Sequence, residues 1–133
     1  MIYQQKDFDE KLQVKIKNIE VALKDYIVKL LSQNKSVFAK KKLDFDAGFD
    51  KVGNDSFKPG YSSSIWIGIA VKNDELNDVH IIKIWECERS LFGMPISKSI
   101  PGSKIIGELL DESVEEIKEE LKEYIEEVLQ DVN

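Results

Sequence analysis

Apolar residues recur at helical spacing near the start of the chain and again near its end. Between residues 7 and 34 they fall every three or four positions, beginning with Phe8, Leu12, Ile16, Ile19 and Leu23, which is the period of one helix face. A second row, Val14, Val21 and Val28, repeats every seven positions. The pattern predicts a long N-terminal helix over 7–34 whose broad apolar stripe favours packing on a sheet over a two-stranded coiled coil.

Alternation of apolar and polar positions predicts strands in the middle of the chain. The clearest case is "SSSIWIGIAVK", in which isoleucines occupy every second position, the spacing of a half-buried strand. The loop "NDELND" then leads to "VHIIKIWECER", which we expect to be its antiparallel hairpin partner. Two weaker patterns predict edge strands, one with outward aspartates and one containing Pro95. The predicted strands are 43–49, 62–72, 79–89 and 92–98.

The last element is predicted to be an acidic amphipathic helix over 111–129. Its apolar positions again recur every three or four residues, and either Asp111 or Ser113 can cap it, with "SVEE" resembling a capping box. The order of elements predicts a single α+β domain over 1–133. We expect a three- to four-stranded antiparallel sheet built from hairpins, with both helices packed on one sheet face.

Charge is distributed unevenly and narrows the possible partners. The net charge of the 133 residues is −6, but residues 108–133 carry eleven acids and two lysines, so the first 107 residues carry a net charge of +3. Arg89 is the only arginine, and base recognition favours arginine forks. We therefore expect no nucleic-acid partner. No apolar run approaches the ~20 residues of a membrane span, and the N-terminus lacks a signal peptide pattern, so we expect a cytoplasmic protein and no membrane partner.

The stretch "HIIKIWECER" holds the chain's only histidine and only cysteine, His80 and Cys87. In a regular strand these residues point to opposite faces and lie about 23 Å apart. They cannot form a nucleophile–base pair, and the chain has no second histidine or cysteine for a zinc site. We therefore expect no catalytic residue, no metal site and no cofactor.

Two surfaces remain as candidate binding sites. The first is the exposed side of the C-terminal helix, where acids persist to the end of the helix although the helix dipole disfavours them there. The second is a strand face rich in residue types that dominate protein interfaces. The candidate binding residues are Glu116, Glu119, Glu120, Glu123 and Glu127 on the helix, and Trp66, Trp85 and Arg89 on the strands.

These features predict a small acidic cytoplasmic module that binds a partner protein through a basic surface on that partner. Neutralising or escorting a partner, as immunity proteins, inhibitors and secretion chaperones do, suits this physical type, although no family resemblance supports it. Two alternatives stay open. One is a small-molecule-binding domain or enzyme with a tryptophan-walled pocket and acids chosen from Asp44, Asp46, Glu86 and Glu88. The other is a structural homo-oligomer, such as a homodimer that pairs the acidic helix with the lysine-rich first helix.

Overall fold

A computed structural model describes residues 1–71 and 78–131. Within these residues the chain is an α+β structure with a long N-terminal helix, a six-stranded antiparallel sheet and a C-terminal helix. The fold class is confirmed, but the strand count is higher than the predicted three to four. The prediction that both helices pack on one sheet face stays a prediction.

The helices and strands differ from their predicted bounds mostly at the ends. The first helix runs six residues further than predicted, and the "NDELND" turn lies largely outside the described residues, as does Lys72. Two short strands were not predicted at all. The elements are β1 (Ile2–Gln4), a 3₁₀ turn (Gln5–Asp7), α1 (Glu10–Lys40), β2 (Leu43–Val52), β3 (Ser62–Val71), β4 (Asp78–Leu91), β5 (Met94–Ile96), β6 (Lys104–Leu109) and α2 (Val114–Asp131).

The sheet order is β1-β6-β4-β3-β2, with β5 paired to β4. β1 and β6 are antiparallel neighbours with Tyr3 opposite Gly107, and β6 continues onto β4 with Gly107 opposite Cys87. The central strand β4 therefore has neighbours on both sides, and its residues Ile84, Trp85 and Cys87 are fully buried, whereas Val79 and Ile81 near its start are 46% and 65% exposed.

The apolar stripe of α1 is narrower than its sequence suggests. Leu12, Ile16, Leu23, Ile27 and Leu30 are buried, whereas Val14, Val21 and Val28 are 52%, 46% and 62% exposed. The second row of valines therefore does not join the core, and the prediction of a broad stripe is wrong. With Glu20, which is also buried, this row has the three- and four-residue spacing that one packed helix face requires.

Strand β4 does not keep strict alternation. Ile84 and Trp85 are neighbours in sequence, yet both are fully buried. Upstream, exposed Lys83 precedes Ile84, and downstream the buried positions continue at Cys87. Further along the strand Ser90 is buried as well, so the buried positions of β4 do not follow one alternating series.

The Cα positions divide the chain into two compact units. The first unit comprises Met1–Val21, Asp50–Ser64 and Lys83–Asp111, and the second comprises the described parts of Ala22–Phe49, Ile65–Ile82 and Glu112–Asn133. The prediction of a single domain over 1–133 stays a prediction.

The first unit is organised around an aromatic cluster formed by Tyr3, Phe8, Phe57 and Trp85. The Phe8 and Phe57 rings stack with centroids 4.7 Å apart, and the Trp85 ring meets them at 5.8 and 6.3 Å, close to edge-on. These separations are typical of favourable aromatic pairs. In the second unit, Phe38 of α1 stacks on Phe45 of β2 with centroids 4.8 Å apart.

No helix among the described residues has the length and apolar character needed to cross a membrane.

Candidate functional site

The C-terminal helix begins with the capping arrangement that its sequence indicates. The backbone N–H of Glu116 donates to Ser113 Oγ at 3.2 Å, and the backbone N–H of Ser113 donates to Glu116 Oε1 at 3.3 Å. Two backbone donors at the helix start are thereby satisfied. The capping box orients the Glu116 side chain backwards along the helix and fixes where the following turns begin.

One face of α2 is buried within the second unit. Two tyrosine hydrogen bonds, one near the start of the helix and one further along it, fix the orientation of the helix. Ile117, Leu121 and Ile125 are spaced four apart and are 0%, 1% and 4% exposed. The hydroxyl of Tyr26 in α1 donates to the Lys118 carbonyl at 3.2 Å, and the hydroxyl of Tyr124 donates to Asp78 Oδ2 at 2.5 Å. With this apolar row turned inward, the opposite side of the helix faces solvent, and positions such as Lys118, Tyr124 and Val128 at its borders are half-buried.

The solvent-facing side of α2 carries the predicted acids. We use the name carboxylate face for the five exposed residues Glu116, Glu119, Glu120, Glu123 and Glu127. Helix α2 contains eight acids and two lysines, a net charge of −6 that equals the net charge of the whole chain. Its first turn holds acids that suit the helix dipole, but its last turn holds no basic residue. The negative charge is therefore concentrated on one helix and is not offset at the helix end.

Two side-chain nitrogens lie close to carboxylates of α2, and only one of them approaches the carboxylate face itself. Lys118 Nζ lies 3.6 Å from Glu115 Oε1, and His80 Nε2 lies 3.5 Å from Glu120 Oε1. An exposed pair such as Lys118–Glu115 contributes little, because water screens it. The face therefore presents carboxylates that a partner's cations could approach.

His80 is placed against this helix, which the strand pattern did not indicate. Its ring stacks on Tyr124 with centroids 5.1 Å apart and an interplanar angle of 23°. Its Nε2 atom is enclosed and has no hydrogen-bond partner within the described chain. The 3.5 Å separation between His80 Nε2 and Glu120 Oε1 is thus a close approach and not a formed hydrogen bond.

Two tyrosines beside the face are kept neutral. Burial, followed by the nearby carboxylates of Glu119 and Glu115, raises the pKa of Tyr26 above its ordinary value. The pKa of Tyr124 is also raised, first by burial and then by its hydrogen bond to Asp78 and the charge of that carboxylate. Both hydroxyls therefore stay protonated to a higher pH than an ordinary tyrosine, and their hydrogen bonds to the Lys118 carbonyl and to Asp78 hold α2 in place.

The second predicted surface is only partly available. Trp85 is fully buried, and its indole N–H donates to the Ser56 carbonyl at 2.6 Å. Arg89 is half-buried and donates to Ser103 Oγ at 3.3 Å. Trp66, in the second unit, is half-buried and covers Gly48, where an added Cβ would lie 2.9 Å from the indole nitrogen. Trp85 therefore belongs to the core, whereas Trp66 and Arg89 each keep an exposed part.

Cys87 is fully buried. Burial, and then the charges of Asp55 and Glu88, raises the pKa of the Cys87 thiol to about 11. Because the thiolate is the nucleophilic form, such a thiol is unreactive at neutral pH.

The residues named for the small-molecule or enzyme alternative lie on two strands, Asp44 and Asp46 on β2 and Glu86 and Glu88 on β4. Asp44 and Asp46 are exposed, while Glu86 pairs with Lys83 Nζ at 2.6 Å. The pKa of Glu88 is raised by burial and then by the neighbouring Glu86 carboxylate. A groove of about 670 Å³ lies beside the start of α1, but residues 1–15 line it and neither tryptophan does.

A buried carboxylate that the sequence did not single out lies in the first unit. Glu20 is 5% exposed and accepts a hydrogen bond of 2.5 Å from the Tyr61 hydroxyl, which is also buried. The pKa of Tyr61 is raised by burial and then by this hydrogen bond. Glu20 lies four residues after Ile16 and three before Leu23, at a core position of the α1 stripe. This helical spacing is the feature of the sequence that indicates its burial. The pair satisfies two buried polar groups that would otherwise be costly.

Comparisons of this chain with protein-family models, with curated proteins and with solved structures found no match.

Proposed function

We propose that this chain is a protein-binding module whose carboxylate face docks on a basic surface of a partner protein. The observation that carries the proposal is the concentration of exposed, weakly paired carboxylates along the whole of α2, including its last turn. The partner chemistry follows from charge: clustered lysine or arginine side chains complement this face, and a basic nucleic-acid-binding or toxic protein is the kind of target that an acidic inhibitor, immunity protein or chaperone covers.

Two physical arguments favour a binding role over a purely solubilising one. Solubility requires net charge but does not require it to be gathered on one helix. Acids in the last turn oppose the helix dipole and repel one another at helical spacing, each at a cost of a few tenths of a kcal/mol. A partner that supplies cations removes both costs on binding, and the long-range attraction speeds encounter.

A charge-reversal variant tests this proposal. Glu119→Lys, Glu123→Lys and Glu127→Lys together change the charge of the carboxylate face by +6 and leave the buried row intact. The wild type, immobilised, is used to recover a partner from native cell extract, and association with the purified partner is then timed at about 0.05 M and 0.5 M salt. We expect the variant to associate at least tenfold more slowly at low salt. The difference should shrink at 0.5 M, where the Debye length is about 4 Å.

A matched control separates local from global charge. Glu10→Lys, Asp25→Lys and Asp50→Lys make the same total change at exposed positions outside α2. The control should associate much faster at low salt than the carboxylate-face variant, and both should melt within a few degrees of the wild type. Equal association rates for wild type and carboxylate-face variant at every salt concentration would remove this face from the interface. Concentration-dependent dimers that the same three reversals dissociate would favour the homodimer alternative instead.

A further inference from the structure

The turn between β4 and β5 holds a phenylalanine in a backbone conformation that phenylalanine rarely adopts. Leu91 and Met94 are paired opposite each other, so Phe92 and Gly93 form a two-residue hairpin loop. Their φ angles are +52° and +78°, and positive φ at both central residues is the requirement of a type I′ turn. Glycine, asparagine and aspartate meet that requirement easily, whereas a bulky side chain with positive φ is an outlier.

The same phenylalanine is almost completely exposed. We define the hairpin tip as Leu91, Phe92, Gly93 and Met94. Phe92 is 95% exposed and Met94 is 68% exposed. The ring of Phe92 therefore gains almost no packing within the described chain, although its position strains the backbone. Neither the backbone strain at Phe92 nor the exposure of its ring stabilises the folded monomer. Observed strain of this kind points to a functional role.

The charged residues nearest in sequence to the hairpin tip are basic on both sides. From Arg89 to Gly107 the chain contains three basic residues and no acid. Lys98 and Lys104 are exposed, and Lys104 is paired opposite Ser90 at the base of the hairpin. The hairpin tip thus carries an exposed apolar group, and basic residues flank it in the sequence and at the base of the hairpin, the opposite charge to the carboxylate face.

We propose that the hairpin tip is an anchor that inserts the Phe92 ring into an apolar pocket with an acidic rim on a partner protein. A two-residue I′ turn fixes the direction of the ring, which lowers the entropy lost when the ring enters a shaped pocket. A lipid bilayer gains from apolar area whatever the backbone conformation, so it would not favour phenylalanine at a strained position over an unstrained neighbour. The net charge of −6 also opposes approach to an anionic membrane. This inference concerns a second surface and does not depend on the carboxylate face.

The first experiment places a photo-crosslinking p-benzoylphenylalanine at position 92 of the full chain and irradiates it in native cell extract. The captured protein is then purified, and its affinity for the wild type and for Phe92→Asn is measured. We expect Phe92→Asn to weaken binding about 30-fold or more, as loss of a central aromatic anchor does. Asparagine suits the turn, so the variant keeps the hairpin fold and a loss of binding cannot be attributed to unfolding.

A matched control tests whether relief of strain by itself changes binding. Lys42 follows α1, is exposed and has a φ of +61°. Lys42→Asn relieves a positive φ elsewhere without touching the hairpin tip, and it should leave affinity within twofold of the wild type. Phe92→Trp should retain most of the affinity, because it keeps a large aromatic ring at the same place.

Several results would overturn the proposal. These are the absence of any crosslinked protein, equal affinities for wild type and Phe92→Asn, and a Phe92-dependent dimer of this chain at about 100 μM. Phe92-dependent binding to vesicles of 30% phosphatidylserine in phosphatidylcholine would assign the tip to membranes instead. The variant with reversed carboxylate face should still crosslink through position 92 at 0.5 M salt, so the two proposals can fail separately.

Discussion

Trp85 and Phe92 are seven residues apart in the same hairpin, yet the fold uses these two aromatic residues in opposite ways. Trp85 is fully buried, donates its indole N–H to the Ser56 carbonyl and completes the aromatic cluster. Phe92 is 95% exposed and sits at positive φ. The interaction energy of the Trp85 side chain is already used inside the molecule, whereas that of Phe92 remains available to a partner. Residue type alone therefore does not tell whether an aromatic side chain is buried in the core or exposed to a partner. What differs between these two residues is their place in the strand pairing: Trp85 lies within a paired strand, and Phe92 lies in the turn that follows it.

The largest effect should come from removing the buried aromatic residue. We expect Trp85→Ala to lower the free energy of unfolding by about 3–5 kcal/mol, because it leaves a large cavity and an unpaired Ser56 carbonyl. Phe92→Ala, the matched truncation at the hairpin tip, should change it by less than about 1 kcal/mol. Urea denaturation of both variants measures the difference. Losses of similar size would mean that Phe92 packs in the core and would break the comparison.

A smaller loss should follow from crowding the same cluster. Gly107 lies under the Trp85 ring, and an added Cβ there would overlap the ring. We expect Gly107→Ala to lower the free energy of unfolding by about 1–3 kcal/mol through overpacking. The double variant Gly107→Ala with Trp85→Phe should lose less than the sum of the two single variants, because the smaller ring leaves room for the methyl group. If the two losses of unfolding free energy were strictly additive, the methyl group at position 107 would not be clashing with the Trp85 ring.

The smallest effect, and one of opposite sign, should appear at the hairpin tip. We expect Phe92→Asn to raise the free energy of unfolding by about 0.5–1 kcal/mol, since Asn-Gly is a preferred I′ turn and no packing is lost. Equilibrium denaturation against wild type provides the measurement. A destabilisation of more than 1 kcal/mol would indicate that the ring supports the fold, and the contrast with Trp85 would then disappear.

The long periodic elements could be predicted from the sequence because their patterns repeat. Both helices and the strand around Ile67 contain several turns or alternations of one pattern, so chance agreement is small. β1 and β6 were missed because Ile2–Gln4 has too few residues to show a period and Lys104–Leu109 carries two adjacent isoleucines. Their pairing is long-range, with Ile2 opposite Glu108, and such partners leave no local signal.

The candidate sites show the same limit. The exposure of the carboxylate face follows from a helical wheel, because three buried positions fix the direction of all the others. The burial of both Ile84 and Trp85 could not be predicted, because strict alternation on one covered face would bury only one of two adjacent residues. Phe92 resembles a core residue in the sequence, and "FG" lacks the asparagine or aspartate that normally marks a tight hairpin turn. Its exposure is visible only once Leu91 and Met94 are seen to pair.

The division of the two tryptophans between the compact units provides one optical reporter for each unit. Trp85 belongs to the first unit and is shielded from water, while half-buried Trp66 belongs to the second. In Trp66→Phe the remaining indole reports the first unit, and its emission moves to longer wavelength when water reaches the ring. In Trp85→Phe the remaining indole reports the second unit. Emission transitions at the same denaturant concentration in both variants would identify one cooperative folding unit, and separate transitions would identify two.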